Sequence, residues 1–487
     1  MLTRSSELPR HPSTGDPAMS AFPPASAAPA RAAVPVTSSA TADGPPLPVL
    51  GSGVRVPLAA GGEVEYAALD QAASAPALQR VWDDVAAYAP SYGSVHRGSG
   101  HLSRLSTDLY EQSRATVAAF LGCRAAAPAL GREADQVVFT RSTTDSLNLL
   151  AAALPSGTRV FVFESEHHAA LLPWREHPTE YLAVPRSPEQ AVAALDEALH
   201  AAPAGHKLVC VTGASNVTGE LWPVRELAAA AHRHGARVVL DAAQLAPHRR
   251  VDLAALDVDW VALSGHKLYA PFGTGVLAGR ADWLERAEPY LAGGGAARSV
   301  RSGPDGRPEV AWHSGEARHE AGSPNVIGAV ALASACRALT EAGREELAER
   351  EERLLDRLCA GLVRVPGLRL LSLFGERAPR VGVVSFVLDG WDSAALADAL
   401  SAEYGIGVRA GLFCAHPLLR ALLGAGAAGG PGGCGAGAHS APHTQGEPPV
   451  NAVRVSFGVG TPQEHVDRFV AAVAALAGAG RAADPQG

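Results

Sequence analysis

Lysine is nearly missing from this chain: Lys207 and Lys267 are the only two among 487 residues, and arginine supplies the other cationic side chains. In such a chain a lysine points to chemistry a guanidinium cannot do, such as forming a Schiff base. Also missing is any Lys/Arg-rich block that could offset the net charge of −8, which argues against a nucleic-acid partner. The six cysteines (Cys123, Cys210, Cys336, Cys359, Cys414, Cys434) are scattered without a CxxC pair. That pattern suits a reducing compartment better than a disulfide framework or a structural zinc site. No apolar run reaches transmembrane length, and the N-terminus has Arg4 and Arg10 but no apolar h-region. A cytoplasmic enzyme with no membrane association is the expectation these absences leave.

What is present is a globular composition, 47% apolar and 18% charged, long enough for two or three domains or for one large and one small. Residues 1–50, rich in Ala, Pro, Ser and Thr, read as a disordered tail, with 51–83 an arm contributing to the smaller domain. A short strand is expected at 64–69 and a helix at 76–88 with Leu78, Val81, Trp82 and Val85 on one face. A polar loop, 91–102, carries His96, Arg97 and His101, and a helix follows over 107–121. From Gln136 onward, strand-like runs at 137–139, 160–163, 208–211, 238–240, 258–263 and 274–277 alternate with helical segments such as 146–154, 189–200 and 224–234. Such alternation predicts an α/β fold whose large domain, 84–345, has a mostly parallel sheet flanked by helices, with ligands at the carboxyl ends of its strands. Helices at 326–342 and 344–362 lead to a smaller α/β C-terminal domain over 346–480. Its strands are expected at 381–386, 406–409 and 453–457, and its helices at 393–402, 417–423 and 462–477. A Gly-rich stretch at about 424–449 reads as a flexible insertion.

Polar clusters fall where the strands end. Arg141-Ser142-Thr143-Thr144-Asp145 opens a helix, where free N–H groups and hydroxyls suit a phosphate, although an ordinary N-cap has the same residues. Glu166-His167-His168 has no third ligand at helical spacing, so metal is not expected; an imidazole stacked on an aromatic cofactor is the more useful reading. Asn216 follows one strand end. Asp241 follows another directly, with Gln244 three residues on. A buried carboxylate needs a partner, and a protonated pyridine nitrogen would serve, as would a structural ion pair. Lys267, in Leu263-Ser264-Gly265-His266-Lys267-Leu268-Tyr269, ends a buried run, where desolvation favours the neutral, nucleophilic amine. Taken together, these clusters make the set that pyridoxal 5'-phosphate (PLP) requires.

These residues carry a resemblance. The chain resembles the PLP-dependent class V aminotransferase superfamily of fold type I, within it the second group of cysteine desulfurases and selenocysteine lyases. The specific stretches are Ser94-Val95-His96-Arg97-Gly98, Val138-Phe139-Thr140-Arg141-Ser142-Thr143-Thr144, Glu166-His167-His168-Ala169, Ser215-Asn216-Val217-Thr218-Gly219, Asp241-Ala242-Ala243-Gln244 and Ser264-Gly265-His266-Lys267. The resemblance implies that Lys267 is the Schiff-base lysine and moves the α-proton, that His167 stacks on the ring, and that Asp241 pairs with the pyridine nitrogen. Gln244 would hydrogen-bond the ring hydroxyl, and Thr143, Thr144, Ser264 and His266 would hold the phosphate. Ser323 matches a position that reaches the partner subunit's phosphate, which implies a homodimer. Arg454 matches the arginine for the carboxylate of an amino-acid substrate, with Asn216 close to ring and substrate and His96 on the substrate side.

The reaction turns on Cys414. In desulfurases of this group a cysteine at this place attacks the substrate sulfur and carries away a persulfide, which a sulfur-acceptor protein can receive. Here Leu412 and Phe413 stand where the family typically has two histidines, and Gln71 replaces the usual Asn or His. Apolar neighbours raise a thiol pKa. Two readings follow: a desulfurase acting on L-cysteine, or an aminotransferase, C–S lyase or epimerase of another amino acid in which Cys414 takes no part.

Overall fold

Successive residues of the large sheet's strands pack on opposite faces, which is why those strands read as unbroken apolar runs. The computed structural model describes residues 45–131, 133–424 and 451–482. Most of the tail expected over 1–50 and nearly all of the insertion expected at 424–449, with Cys434, lie outside the described residues. The strands are β1 (Gln136–Thr140), β2 (Arg159–Phe163), β3 (Thr179–Leu182), β4 (Lys207–Thr212), β5 (Arg237–Asp241), β6 (Trp260–Ser264) and β7 (Gly275–Gly279). They pair in the order β1-β7-β6-β5-β4-β2-β3. Only β7 runs against the others, antiparallel to both β1 and β6. The remaining four pairings are parallel.

In β4, β5 and β6 the residues Val209, Val238 and Val261 enter one apolar cluster, and their neighbours Cys210, Val239 and Ala262 enter another on the opposite face. Helices Pro188–Ala201, Val224–Arg233 and Val326–Glu341 cover the first face, and Thr143–Ala153 covers the second. Each Val or Leu fully buried this way contributes about 1.5–3 kcal/mol. Because all strands but β7 run the same way, six of them deliver their carboxyl ends to one edge, five of which reach the site described below.

A second, antiparallel sheet has strands β8 (Leu368–Leu370), β9 (Val383–Leu388), β10 (Arg409–Gly411) and β11 (Ala452–Ser456), in the order β8-β9-β11-β10. It has its own apolar cluster, in which Phe386 and Phe469 meet edge-on at 6.1 Å. Helices Arg344–Leu362, Ser393–Tyr404 and Gln463–Ala482 belong to this part of the fold.

Several local expectations are corrected. The first long helix starts at Gln79, so its buried face is Val81, Val85 and Tyr88; Trp82 is 48% exposed and stacks on Phe272 instead. Leu78 is the residue before the helix, buried but not on its face. The helix expected from 107 begins at His101, because its hydroxyls find local acceptors: Ser103 donates to Ser94 O (2.6 Å) and Thr107 to Ser103 O (2.8 Å). The expected strand at 64–69 is two pieces, Glu63–Glu65 and Ala67–Ala68, the second pairing in parallel with Ile406–Gly407. The edge strand β3 and the hairpin Ala297–Ser302/Pro308–Trp312 were not anticipated, since neither is an apolar run.

Candidate active site

The carboxyl ends of β1, β2, β4, β5 and β6 surround a cavity of about 240 Å³. Of the site residues singled out in the sequence, only His96 and Ser323 do not line it.

At one end lies an anion cup. Ser142 caps the helix Thr143–Ala153, its Oγ accepting from Asp145 N at 3.3 Å. Thr143 N donates to Ser264 Oγ at 2.7 Å, and the Thr143 and Ser264 hydroxyls are 2.8 Å apart. Thr144 and His266 complete the lining there. The N-terminus of this helix, with its dipole and three hydroxyls around it, favours a phosphate. Glycine is required on the neighbouring strand, since a Cβ at Gly275 would stand 2.6–2.7 Å from the Ser142 backbone.

In the centre Lys267 lies within a tight turn closed by Ala270 N to Gly265 O (2.9 Å) and anchored by Gly265 N to Thr274 O (2.7 Å). Burial pulls its ammonium down to about 8, against the attraction of Asp241 and with help from Arg454. Asp241 ends β5, and its Oδ1 accepts from Ala243 N at 2.9 Å. Burial raises its carboxyl above the ordinary range, opposed by that bond and by Lys267. Gln244 donates its amide to Ala72 O at 2.7 Å, which leaves its carbonyl oxygen for a ring hydroxyl. His167 Nδ1 accepts from Ala169 N at 3.0 Å, which puts the ring proton on Nε2. Burial, then Lys267, His168 and Arg454, push its imidazole down to about 3, so the ring is neutral and flat-faced across the physiological range.

The far end is cationic. Arg454, on β11, donates Nη1 to Asn216 O and Nη2 to Asp70, both at 3.0 Å, while its Nε is buried without a partner. Its guanidinium carbon lies 5.0 Å from the Phe413 ring centroid. Asn216 donates to Phe413 O at 2.8 Å, and His168 N donates to Cys414 O at 2.8 Å. Cys414 lines the cavity with Lys267 and Arg454.

Sequence reasoning missed three participants. Arg409 lines the cavity as the register partner of Arg454; a basic residue at the end of the strand expected at 406–409 was its only signal. Phe413 forms a wall under Arg454. Glu166 is fully buried, with Oε1 accepting from Thr212 N (3.0 Å) and Oε2 unpartnered; burial, then Asp241, raises its carboxyl well above the usual range. Gln71, the departure noted above, donates to Thr461 Oγ1 at 3.0 Å and so ties the arm to the second sheet. His96 pairs with Glu111 at 2.9 Å, and Ser323 is exposed. Among the described residues no group of three His, Cys, Asp or Glu is placed to hold a metal ion, and no single helix is long and apolar enough to cross a membrane.

A large mixed sheet with a lysine, an acid, an imidazole and an anion cup at its strand ends, joined to a smaller α/β unit, is the architecture of fold-type I PLP-dependent enzymes. The chain belongs to the aminotransferase class-V family, whose model matches residues 67–469, and lies on the cysteine desulfurase side of that superfamily. It is 36% identical over 360 residues to a cysteine desulfurase of Synechococcus elongatus, covering 72% of this chain and 55% of that protein, so it spans about half that relative's length. A probable cysteine desulfurase of Vibrio cholerae is 34% identical over 417 residues, covering 83% of this chain and 92% of that one. Among solved structures, a cysteine desulfurase from Thermococcus onnurineus superposes with a TM-score of 0.71 at 29% identity, covering 85% and 95% of the two chains. One from Escherichia coli gives 0.67 at 30% identity, covering 85% and 94%.

The donor set fits PLP. The cup suits its phosphate, the enclosed Asp241 feels Lys267 but makes no direct ion pair among the described residues and so has room for a pyridinium, and Lys267 offers a neutral amine near pH 8.

Proposed function

We propose that this chain is a cytoplasmic, PLP-dependent cysteine desulfurase that converts L-cysteine to L-alanine and leaves the sulfur on Cys414 as a persulfide. The observation that carries this reading is that Cys414 shares one cavity with Lys267 and Arg454. When bound, PLP supplies an electron sink for the substrate's Cα. Thr143, Thr144, Ser264 and His266 would hold its phosphate, with His167 against one face, Asp241 at the ring nitrogen and Gln244 at the ring hydroxyl. Arg454 holds the substrate carboxylate; a charge-assisted pair of this kind contributes about 1.5–3 kcal/mol. Asn216, fixed by Phe413 O, orients the substrate beside it. The Lys267 amine, available near neutral pH, takes and returns the α-proton. The Cys414 thiolate then attacks the substrate sulfur.

Ser323 does not line its own chain's cavity, and Gly322 beside it is held by Arg97 Nη2 at 3.1 Å, in the loop that also carries His96. These placements support a homodimer in which Ser323 and His96 serve the partner's site, and sedimentation would report the dimer. A protein acceptor for the persulfide sulfur follows from the same chemistry.

The test is product analysis with L-cysteine and L-selenocysteine plus a reductant. Wild type is expected to release alanine with sulfide or selenide, and Cys414→Ala to lose the cysteine reaction; full cysteine turnover in that variant contradicts the nucleophile role. Apolar Leu412 and Phe413 before Cys414 favour one other reading, an aminotransferase, C–S lyase or epimerase of another amino acid. Accumulation of pyridoxamine phosphate on mixing with amino acids would mark transamination.

A further inference from the structure

The turn that carries Cys414 also gathers imidazoles that the reaction above does not use. His168 opens the helix His168–Leu171 and His416 opens the helix His416–Leu423. Their rings meet edge-on, with centroids 4.5 Å apart at 69°. The same two residues flank Cys414 along the backbone. His168 N donates to Cys414 O at 2.8 Å, and His416 follows Cys414 by two residues. The His167 ring stands 6.3 Å from that of His168, so three imidazoles run in a row from the cofactor wall to the helix that follows Cys414. Cys414, His168 and His416 are all half-buried, where a proton can reach water.

The backbone here is set with some effort. Phe413 and Cys414 have φ of 53° and 54°, the left-handed region that bulky side chains avoid. Asn216 on Phe413 O, His168 on Cys414 O, and Ala415 N on Leu412 O (3.0 Å) hold the turn in that shape. A strained turn pinned by groups from the cofactor wall fixes where the thiol and the following imidazole stand.

The charged groups around the thiol are mainly cations. Lys267, from the turn after β6, and Arg454, from β11, both feel Cys414, and Arg409, from β10, lines the same cavity. Arg420, from the helix His416–Leu423, acts on His416. Among the described residues, the nearby carboxylates are Asp70, paired with Arg454, and Asp241, which feels Lys267 without a direct ion pair. Burial holds His168 and His416 below the ordinary imidazole value, so each ring stands neutral and can accept a proton.

We propose that His416, braced edge-on by His168, accepts the proton of the Cys414 thiol. This rests on the reading of Cys414 as nucleophile. The thiol proton moves to a ring nitrogen of His416. The thiolate attacks the substrate sulfur, and the S–S bond forms as the substrate C–S bond breaks. The electron pair stays with the carbon, which is protonated to give alanine, and the imidazolium gives up its proton to water. One thiol and one L-cysteine thus become one persulfide and one L-alanine, with no outside oxidant. His416 is the proton acceptor, and His168 is a positioning residue.

The experiment is alkylation of the PLP-loaded enzyme by iodoacetamide, followed at the Cys414 peptide by mass spectrometry between about pH 5 and pH 10. His416→Gln keeps the size and polarity of the side chain but cannot take a proton. It is expected to slow Cys414 alkylation about tenfold near pH 7 and to converge with wild type near pH 10, where the thiol ionises unaided. His168→Phe keeps an edge-on ring and is expected to move the midpoint the same way by less. An unchanged profile in His416→Gln overturns the proposal, as does slowing by one constant factor at every pH, which would mark a structural role. An unchanged profile in His168→Phe overturns the bracing. The cofactor absorbance of each variant reports an intact fold. Alkylation needs no L-cysteine, so a normal shift without persulfide would sink the desulfurase reading alone.

Discussion

Lys267, Asp241 and His167 each stand within a few residues of the end of a strand in the seven-stranded sheet, whereas Phe413 and Cys414 stand on a turn with two successive left-handed residues. The first group is placed by apolar packing on both faces of the sheet. The second is placed by three hydrogen bonds, two of them from segments far away in the chain. On the proposed reading one region fixes the cofactor and the other the reaction, and the two should then respond differently to substitution.

The largest effect is expected at the floor. Lys267→Ala removes the amine proposed both to hold the cofactor and to move the α-proton, and turnover should fall by about 10³-fold or more. Loss of the Schiff-base absorbance band on PLP addition checks it. In wild type, capture of PLP should accelerate as pH rises through about 8, where Lys267 becomes neutral, and stopped-flow absorbance reads this directly.

At the opposite end, Arg454→Ala should lower kcat/KM by about 10–100-fold, corresponding to about 1.5–3 kcal/mol, with the cofactor spectrum retained. If the spectrum is lost as well, floor and wall are not separable.

His167 links the regions through stability. Its imidazole is held from an ordinary 6.5 down to about 3. Between those values the unfolded chain binds a proton that the folded chain does not. Its contribution is therefore fully present above about pH 6.5 and is lost progressively as pH falls toward 3. Urea midpoints of the apo protein should drop over that interval, and His167→Phe should flatten the drop.

The smallest effect is expected at Tyr269. Its hydroxyl accepts from Val459 N at 3.0 Å, joining the lysine turn to the loop after β11. Tyr269→Phe leaves that N–H unpaired and should cost about 1–3 kcal/mol of stability, read by thermal or urea unfolding.

This contrast also explains what was legible in the sequence. The runs at 160–163, 208–211 and 238–240 fall within β2, β4 and β5, because a strand buried on both faces has to be continuously apolar. Lys267, Asp241 and the Ser142-Thr143-Thr144 cup could be read because strand ends are where such a sheet binds ligands. Phe413 as a wall under Arg454 could not, since the contact joins β11 to a turn about 40 residues earlier in a geometry no local pattern encodes. Arg409 was hidden for the same reason: its role follows from register with Arg454. Trp82 misled because apolar spacing does not reveal where a helix begins.

The most direct test of the central claim is the mass of the Cys414 peptide after the PLP-loaded enzyme meets L-cysteine without reductant. The account predicts a gain of one sulfur atom on Cys414, reversed by thiol and matched by one alanine. An unmodified Cys414 alongside continuing alanine or pyruvate release would contradict it.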